Sequence, residues 1–240
     1  MTPRLEPLEP PQEFLEDAAS FAITFDPGDT DRMGLYLALL LETNRKFNLT
    51  AITDPADAWR KHIFDSLTLL PWIGATAAKR VIDLGSGGGL PGIPLAISMP
   101  GVQFVLVEAT GKKATFLEQA VAELGLSNVR IINDRAETLG QDLDTHRRRY
   151  DVVTARAVGR LTVLVELAVP LLRVGGHLLA IKGSSATGEI KQAKRAMHLL
   201  HCHLSNTVKT PTGTVVVIEK LRESPKVYPR RPGEPKRSPL

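Results

Sequence analysis

The sequence predicts an α/β protein, a doubly wound, mostly parallel seven-stranded sheet with helices on both faces and an N-terminal helical cap. Three observations carry this. Arg80 to Gly92 reads as a short buried strand, a glycine-rich turn and the start of a helix. From Lys79 onward, strand-like and helix-like runs alternate, the pattern of a parallel sheet covered on both faces. The residues ahead of Lys79 carry helical periodicity instead.

Residues 1–10 are rich in Pro and Glu and read as poorly ordered. Residues 11–25 and 29–47 read as helices, the second capped by Asp29 or Thr30, with Met33, Tyr36, Leu37, Leu40 and Leu41 at helical spacing. Asn48 to Ala51 break the pattern. Asp54 and Pro55 start a third helix, with Asp at the N-cap and Pro just inside. It carries Trp59, Ile63, Leu67 and Leu70 on one face and is expected to end at Pro71.

Val81–Leu84 is the first expected strand, and Pro91 opens the helix that follows it, where a missing N–H costs nothing. Strands are expected over 102–107, 128–132, 151–155 and 177–182, and a closing hairpin over 204–208 and 214–220. Helices are expected over 112–124, stopped by Gly125, over 161–173, and over 187–200 with a basic face. Gly175-Gly176 reads as the turn into the fifth strand. This divides the chain into an acidic start (1–28), a cap (29–78), the α/β domain (79–224) and a basic, Pro- and Arg-rich tail without regular structure (225–240).

The 240 residues are 43% hydrophobic and 23% charged, enough for one sizeable core. A single cysteine, Cys202, excludes an internal disulfide framework and fits a reducing, cytoplasmic setting. The N-terminus lacks the basic start and apolar run of a secretory signal, and no run is apolar for long enough to span a membrane. The net charge of +4 conceals an asymmetry. Residues 1–31 hold eight acids against Arg4, whereas residues 191–240 hold eleven Lys and Arg against three Glu. A basic end suggests an anionic partner, with nucleic acid foremost.

The glycine turn fits G-x-G-x-x-G at Gly87, Gly89 and Gly92, which alone is a weak signal for a dinucleotide. Pro91 removes an N–H from the helix start, and Leu90 is bulky where a pyrophosphate would lie. Asp83 before the first glycine gives Asp-x-Gly-x-Gly-x-Gly, which resembles motif I of S-adenosylmethionine-dependent methyltransferases. Glu108, at the end of the second strand, is a candidate for the ribose hydroxyls, and Ala109 and Thr110 would continue that edge. Asp134 to Glu137 follow the third strand and border the same crevice, Glu137 being the stronger candidate of the two acids.

Arg156 follows the fourth strand, where it could hold a methionine carboxylate, a phosphate or a guanine edge. The Asn/Asp-Pro-Pro-aromatic motif that many amino-group methyltransferases carry there is missing. His62, Asp65 and Ser66 stand at i, i+3, i+4 on the third helix, a substrate-side cluster or a polar helix face. His198, His201, Cys202 and His203 lack a second ligand cluster, so no metal site is assigned. In the tail, Tyr228, Arg230, Arg231, Lys236 and Arg237 offer stacking and phosphate contacts.

In order, Asn48-Leu49-Thr50, His62 to Ser66, Asp83 to Pro94, Arg156-Ala157, Lys182-Gly183 and Tyr228 to Arg231 are more specific than any one motif. From about residue 30 onward the chain resembles the bacterial small-subunit ribosomal RNA guanine-N7 methyltransferase G family, also called glucose-inhibited division protein B. The resemblance implies the class I, Rossmann-like methyltransferase fold and S-adenosyl-L-methionine as cofactor. It implies methylation of N7 of one 16S rRNA guanine, at about position 527, as free RNA or in the small subunit. It further implies cofactor contacts at Gly85, Leu90, Glu108, Ala109, Thr110, Ala136, Glu137 and Arg156. His62, Asp65, Ser66 and Arg156 are then the candidates for guanine positioning, and Lys182 joins the tail residues as an RNA contact.

No general base is expected, because guanine N7 has a free lone pair and alignment with the methyl group supplies most of the catalysis. A cytoplasmic monomer is expected. The other readings are a methyltransferase of the same fold acting on another RNA, a protein or a small molecule, and a non-catalytic RNA-binding module. A dehydrogenase ranks last, weakened by Leu90 and Pro91.

Overall fold

The computed structural model describes residues 5–240. The sheet contains β1 (Arg80–Leu84), β2 (Gln103–Val107), β3 (Val129–Ile132), β4 (Tyr150–Arg156), β5 (Leu172–Lys182), β6 (Cys202–Thr210) and β7 (Gly213–Lys220). Their order is β3-β2-β1-β4-β5-β7-β6. Strands β1 to β5 pair in parallel, and β7 runs antiparallel to both β5 and β6. The chain order reverses between β1 and β4, so a crevice opens at the carboxyl ends of those two strands.

Alternation along the strands divides the apolar core between the two faces of the sheet. Val81, Phe104, Leu106, Val152 and Leu179 face α6 (Gly92–Ser98), α7 (Gly111–Glu123) and the cap. Ile82, Leu84, Val153, Ala155 and Leu178 face α9 (Leu161–Ala168) and the helices α10 (Ala186–Gln192) and α11 (Lys194–Leu199). Among the described residues, no helix is long and apolar enough to cross a membrane.

The cap comprises α1 (Gln12–Ser20), α2 (Asp29–Asn44), α3 (Pro55–Ala58), a π-helical turn over Trp59–Phe64, α4 (Asp65–Leu67) and α5 (Leu70–Ala75). Asp54 caps α3 as expected, its carboxylate accepting from the Asp57 amide at 2.9 Å. Three details differ from expectation. Gly28, in a left-handed conformation, caps α2, and Asp29 lies inside its first turn, accepting from the Asp26 amide. The third helix is interrupted by the π turn rather than running unbroken to Leu70. Pro71 opens α5 rather than ending the helix before it, because a first turn needs no N–H from it. The expected disorder of residues 1–10 lies outside the described residues for 1–4. Beyond them, Leu8 packs on the core, and its carbonyl lies against Gly34 with no room for a Cβ between.

Further along, α9 stops at Ala168 and continues as a 3-10 turn over Val169–Leu171, where Pro170 withholds an amide. Strand β5 therefore begins at Leu172, with Gly175 and Gly176 inside it at a bulge rather than ahead of it. The helix expected over 187–200 is divided at Ala193 into α10 and α11.

The tail is the largest departure. It folds onto the α/β domain and ends in the short helix α12 (Glu234–Arg237). The buried Arg147 guanidinium donates to the carbonyls of Gly140, Ser224, Pro225 and Tyr228 at 2.6–3.2 Å. Gln141 donates to the Pro229 carbonyl at 2.8 Å, and the Tyr228 side chain packs on the core. Arg230 binds Glu166, whose side chain is fully buried, through two bonds of 2.8 and 2.6 Å. Composition alone reads this stretch as solvated; a buried carboxylate in the otherwise apolar α9 gives it a docking point.

Candidate active site at the carboxyl ends of the central strands

The turn after β1 is tight. Ser86 donates its amide to the Val107 carbonyl, and its own carbonyl accepts from the amides of Gly89 and Leu90. Gly85 has φ +63°, and a Cβ there would sit 3.0 Å from a Val158 methyl, so the backbone is bared toward the crevice. Asp83 is completely buried beneath the turn and accepts from the Thr154 hydroxyl at 2.9 Å. Burial pushes its carboxyl up to about 6, against the opposing pull of the Ser86 and Thr154 hydrogen bonds.

Glu108 follows β2. Its carboxylate accepts from the Gly87 amide at 3.0 Å and the Thr110 amide at 2.7 Å, so it joins the ends of β1 and β2. A cavity of about 750 Å³ opens beside it. Gly85, Ala109, Ala136 and Glu137 line this cavity, with apolar walls from Leu84, Val107, Val163 and Leu167. Glu108, Leu90 and Thr110 are not among its lining residues. Leu90 is instead packed in the core against the cap-side helices, which fixes the shape of the turn. Glu137, in α8 (Ala136–Gln141), accepts from the Gly233 amide of the tail at 2.8 Å.

A second cavity, of about 400 Å³, is lined by Asp65, Arg156, Lys182, Glu189 and Thr212. The two cavities share Ala157 and Gly159, the residues just after β4. Ala157 has φ +59°, an uncommon conformation for a residue with a Cβ, at the point where the cavities meet.

Arg156 ties the α/β domain to the cap. It donates to the Lys61 carbonyl at 2.6 Å, lies 3.2 Å from His62 Nδ1 and is 3.5 Å from Asp65 Oδ2. Since a guanidinium only donates, Nδ1 accepts and Nε2–H donates to the Thr50 hydroxyl at 2.8 Å. Burial, aided by the nearby Arg156, pushes His62 down to about 4, so it is neutral at pH 7. Asp65 Oδ1 accepts from the Thr212 hydroxyl at 2.6 Å, and burial raises its carboxyl above the usual range.

Ser66 departs from this cluster. It is fully buried and its hydroxyl donates to the His62 carbonyl, a bond within the helix. Lys182 is mostly buried and paired with Glu189 at 2.8 Å, so its charge is already balanced. Arg230 is committed to Glu166 and Tyr228 to the core, whereas Arg231, Lys236 and Arg237 are exposed. At the α11–β6 junction Cys202 is buried, and His201 bonds the Glu223 carbonyl.

Thr212, Glu189, Gly233 and Pro239 escaped the sequence reading, and Lys236 and Arg237 were expected at RNA rather than at the first cavity. Thr212 and Gly233 lie far along the chain from Asp65 and Glu137, the groups they meet.

A strand-end carboxylate, a bared glycine turn and a cavity with apolar walls form a donor set suited to an adenosine-bearing group. With the β7-antiparallel sheet and the cap, they define a class I methyltransferase architecture. Solved structures agree on the fold. An O-methyltransferase of Streptomyces achromogenes involved in tomaymycin synthesis, solved in complex with SAM, superposes with a TM-score of 0.58 at 17% identity, over 87% of this chain and 96% of that one. An O-methyltransferase of Bacillus cereus in complex with SAH gives 0.55 at 17% identity, over 85% and 96%.

The family model described as GidB, rRNA small subunit methyltransferase G, matches residues 29–216. Proteins named ribosomal RNA small subunit methyltransferase G are similar along nearly the whole chain. That of Sorangium cellulosum is 47% identical, covering 95% of each chain, and that of Bacillus subtilis 37%, covering 95% and 98%. The chain belongs to the GidB family of methyltransferases.

Proposed function

We propose that the protein transfers the methyl group of S-adenosyl-L-methionine to N7 of one guanine, at about position 527, of 16S rRNA. The observation that carries this reading is the meeting of two cavities at Ala157 and Gly159, one suited to a methyl donor and one to an acceptor base. We assign Gly85, Ala109, Ala136 and Glu137 to the cofactor cavity and the Glu108 carboxylate to the ribose hydroxyls. Leu90 and Thr110 support them, Leu90 by packing under the turn and Thr110 by orienting Glu108. Bound there, the cofactor supplies an electrophilic methyl group on a sulfonium.

The acceptor side belongs to Asp65 and Arg156, with neutral His62 holding the Arg156 guanidinium. Methylation at N7 leaves the purine cationic, and the Asp65 carboxylate bordering the second cavity stabilises that charge. Histidine is not the base, since none is needed and its imidazole is neutral and bonded at both nitrogens. Of the tail cations, the exposed Arg231 remains for RNA phosphates. The protein acts in the cytoplasm as a monomer on free RNA or the small subunit.

The test is transfer of a labelled methyl group to ribosomal RNA and small subunits lacking the modification, with the product nucleoside mapped. A single 7-methylguanosine at the expected stem-loop is the expected result. Cofactor binding with no transfer to either RNA substrate sinks the substrate assignment.

A further inference from the structure

The C-terminal tail touches the cofactor cavity directly. Gly233, Lys236, Arg237 and Pro239 line it, on the side of α9 and α8. They reach it because the chain ahead of them is pinned at three points. Arg147 collects four carbonyls, Gln141 holds the Pro229 carbonyl, and Arg230 grips Glu166. Gly140 has no side chain where Pro229 crosses; a Cβ there would come within 2.6 Å of the proline ring. Past these anchors the chain turns through Gly233, at φ +85°, and its amide closes onto the Glu137 carboxylate at 2.8 Å.

We infer that residues 233–239 form a wall of the methyl-donor site and bind the adenine end of the cofactor. The inference rests on the cofactor reading above. Three features point to adenine. The adjoining walls, Val163 and Leu167 from α9 and Ala136 from α8, are apolar or small, as a flat heteroaromatic ring requires. Glu137 spends one acceptor position on Gly233, and a carboxylate has about four, so acceptors remain for an exocyclic amine. Lys236 and Arg237 supply donors to ring nitrogens and, for Arg, a planar cation that stacks on a π-face.

The Glu137–Gly233 bond makes this more than proximity. A carboxylate that recognises adenine also holds the tail, so an occupied site and a docked tail stabilise each other. Binding free energies are reciprocal, so the cofactor shifts the equilibrium toward the docked tail by the factor by which the docked tail tightens the cofactor. Lys236 and Arg237 thus serve the methyl donor, and their contribution to rRNA affinity is secondary.

Two measurements on the full-length protein test this, with S-adenosylhomocysteine as probe so that no turnover intervenes. In hydrogen exchange, the ligand is expected to protect peptides covering residues 231–240 together with those covering Gly85 to Thr110. Protection of the glycine turn without the tail overturns the inference and leaves the cofactor reading intact; protection of neither overturns the cofactor reading itself. The second measurement uses Lys236→Ala/Arg237→Ala, both exposed and therefore expected to fold normally. Its Kd for S-adenosylhomocysteine is expected to rise about tenfold, while its affinity for the rRNA stem-loop without ligand stays within about twofold. A ligand Kd within about twofold of wild type overturns the inference, whatever the RNA affinity does.

Discussion

Arg230 closes on Glu166 with two side-chain bonds and a third from its own amide, and the carboxylate it meets has no exposed surface. The pair joins the tail to the centre of α9. Removing one member of a buried pair strands the other, at about 3–5 kcal/mol. Arg230→Ala is therefore expected to lower unfolding stability by that order in urea titration. Glu166→Leu combined with Arg230→Met, which leaves no orphan charge, should recover most of it. A single variant as stable as wild type would show that the carboxylate finds water instead.

Gly140 and Pro229 give a steric version of the same dependence. The glycine is helical, so alanine suits its backbone, yet the added methyl collides with the proline ring. Overpacking of this kind costs about 1–3 kcal/mol. We expect Gly140→Ala to release the tail to trypsin after Lys226 and Arg230 well before the domain is cut. Tail cleavage at the wild-type rate would mean that the proline shifts at no cost.

Asp83 sets a pH dependence of stability. Its folded value, about 6, exceeds the ordinary aspartate value of 3.8, so the folded state holds the proton more tightly than the unfolded chain. The resulting stabilisation is complete below pH 4 and is lost as pH rises through 6. A shift of that size corresponds to about 3 kcal/mol. Asp83→Asn cannot ionise, so its stability relative to wild type is expected to climb by up to that amount between pH 4 and 7. A difference that stays flat over that range means Asp83 is not ionising there.

The parts of the fold that were legible in the sequence are those set by local pattern. The strand–glycine–helix unit at Arg80 to Ser98, the strand-end acid Glu108 and the closing hairpin all depend on residues close in sequence. The parts that were not legible depend on distant partners. Nothing in Trp59 to Phe64 announces a π turn. The tail reads as disordered because Pro and Arg favour solvent, and its docking is decided by Arg147 and Glu166 from elsewhere in the chain. One signal was available: Leu-Thr-Val-Leu-Val-Glu-Leu-Ala is too apolar to face water, so Glu166 required a cation. In the same way, the sequence left Asp65 open between a substrate-side cluster and a polar helix face, and did not show that Thr212, from the β6–β7 turn, meets it.

Asp65 also supplies the sharpest chemical prediction. It borders the acceptor cavity, is largely buried, and lies at 3.5 Å from Arg156, a long contact that leaves its charge only partly balanced. Burial raises its carboxyl, so the acid becomes an anion later in a pH titration than an exposed aspartate. If its charge stabilises the cationic purine, the single-turnover rate of methyl transfer must fall as pH drops through that raised value. Asp65→Asn retains an oxygen for the Thr212 hydroxyl and removes only the charge. We expect it to lower the rate by about tenfold or more, flatten the acid limb of the profile and leave cofactor affinity unchanged. A structural role would move stability and leave the shape of the pH profile alone. An unchanged rate in a folded variant would return Asp65, with His62, to the bonds that hold the cap onto β4.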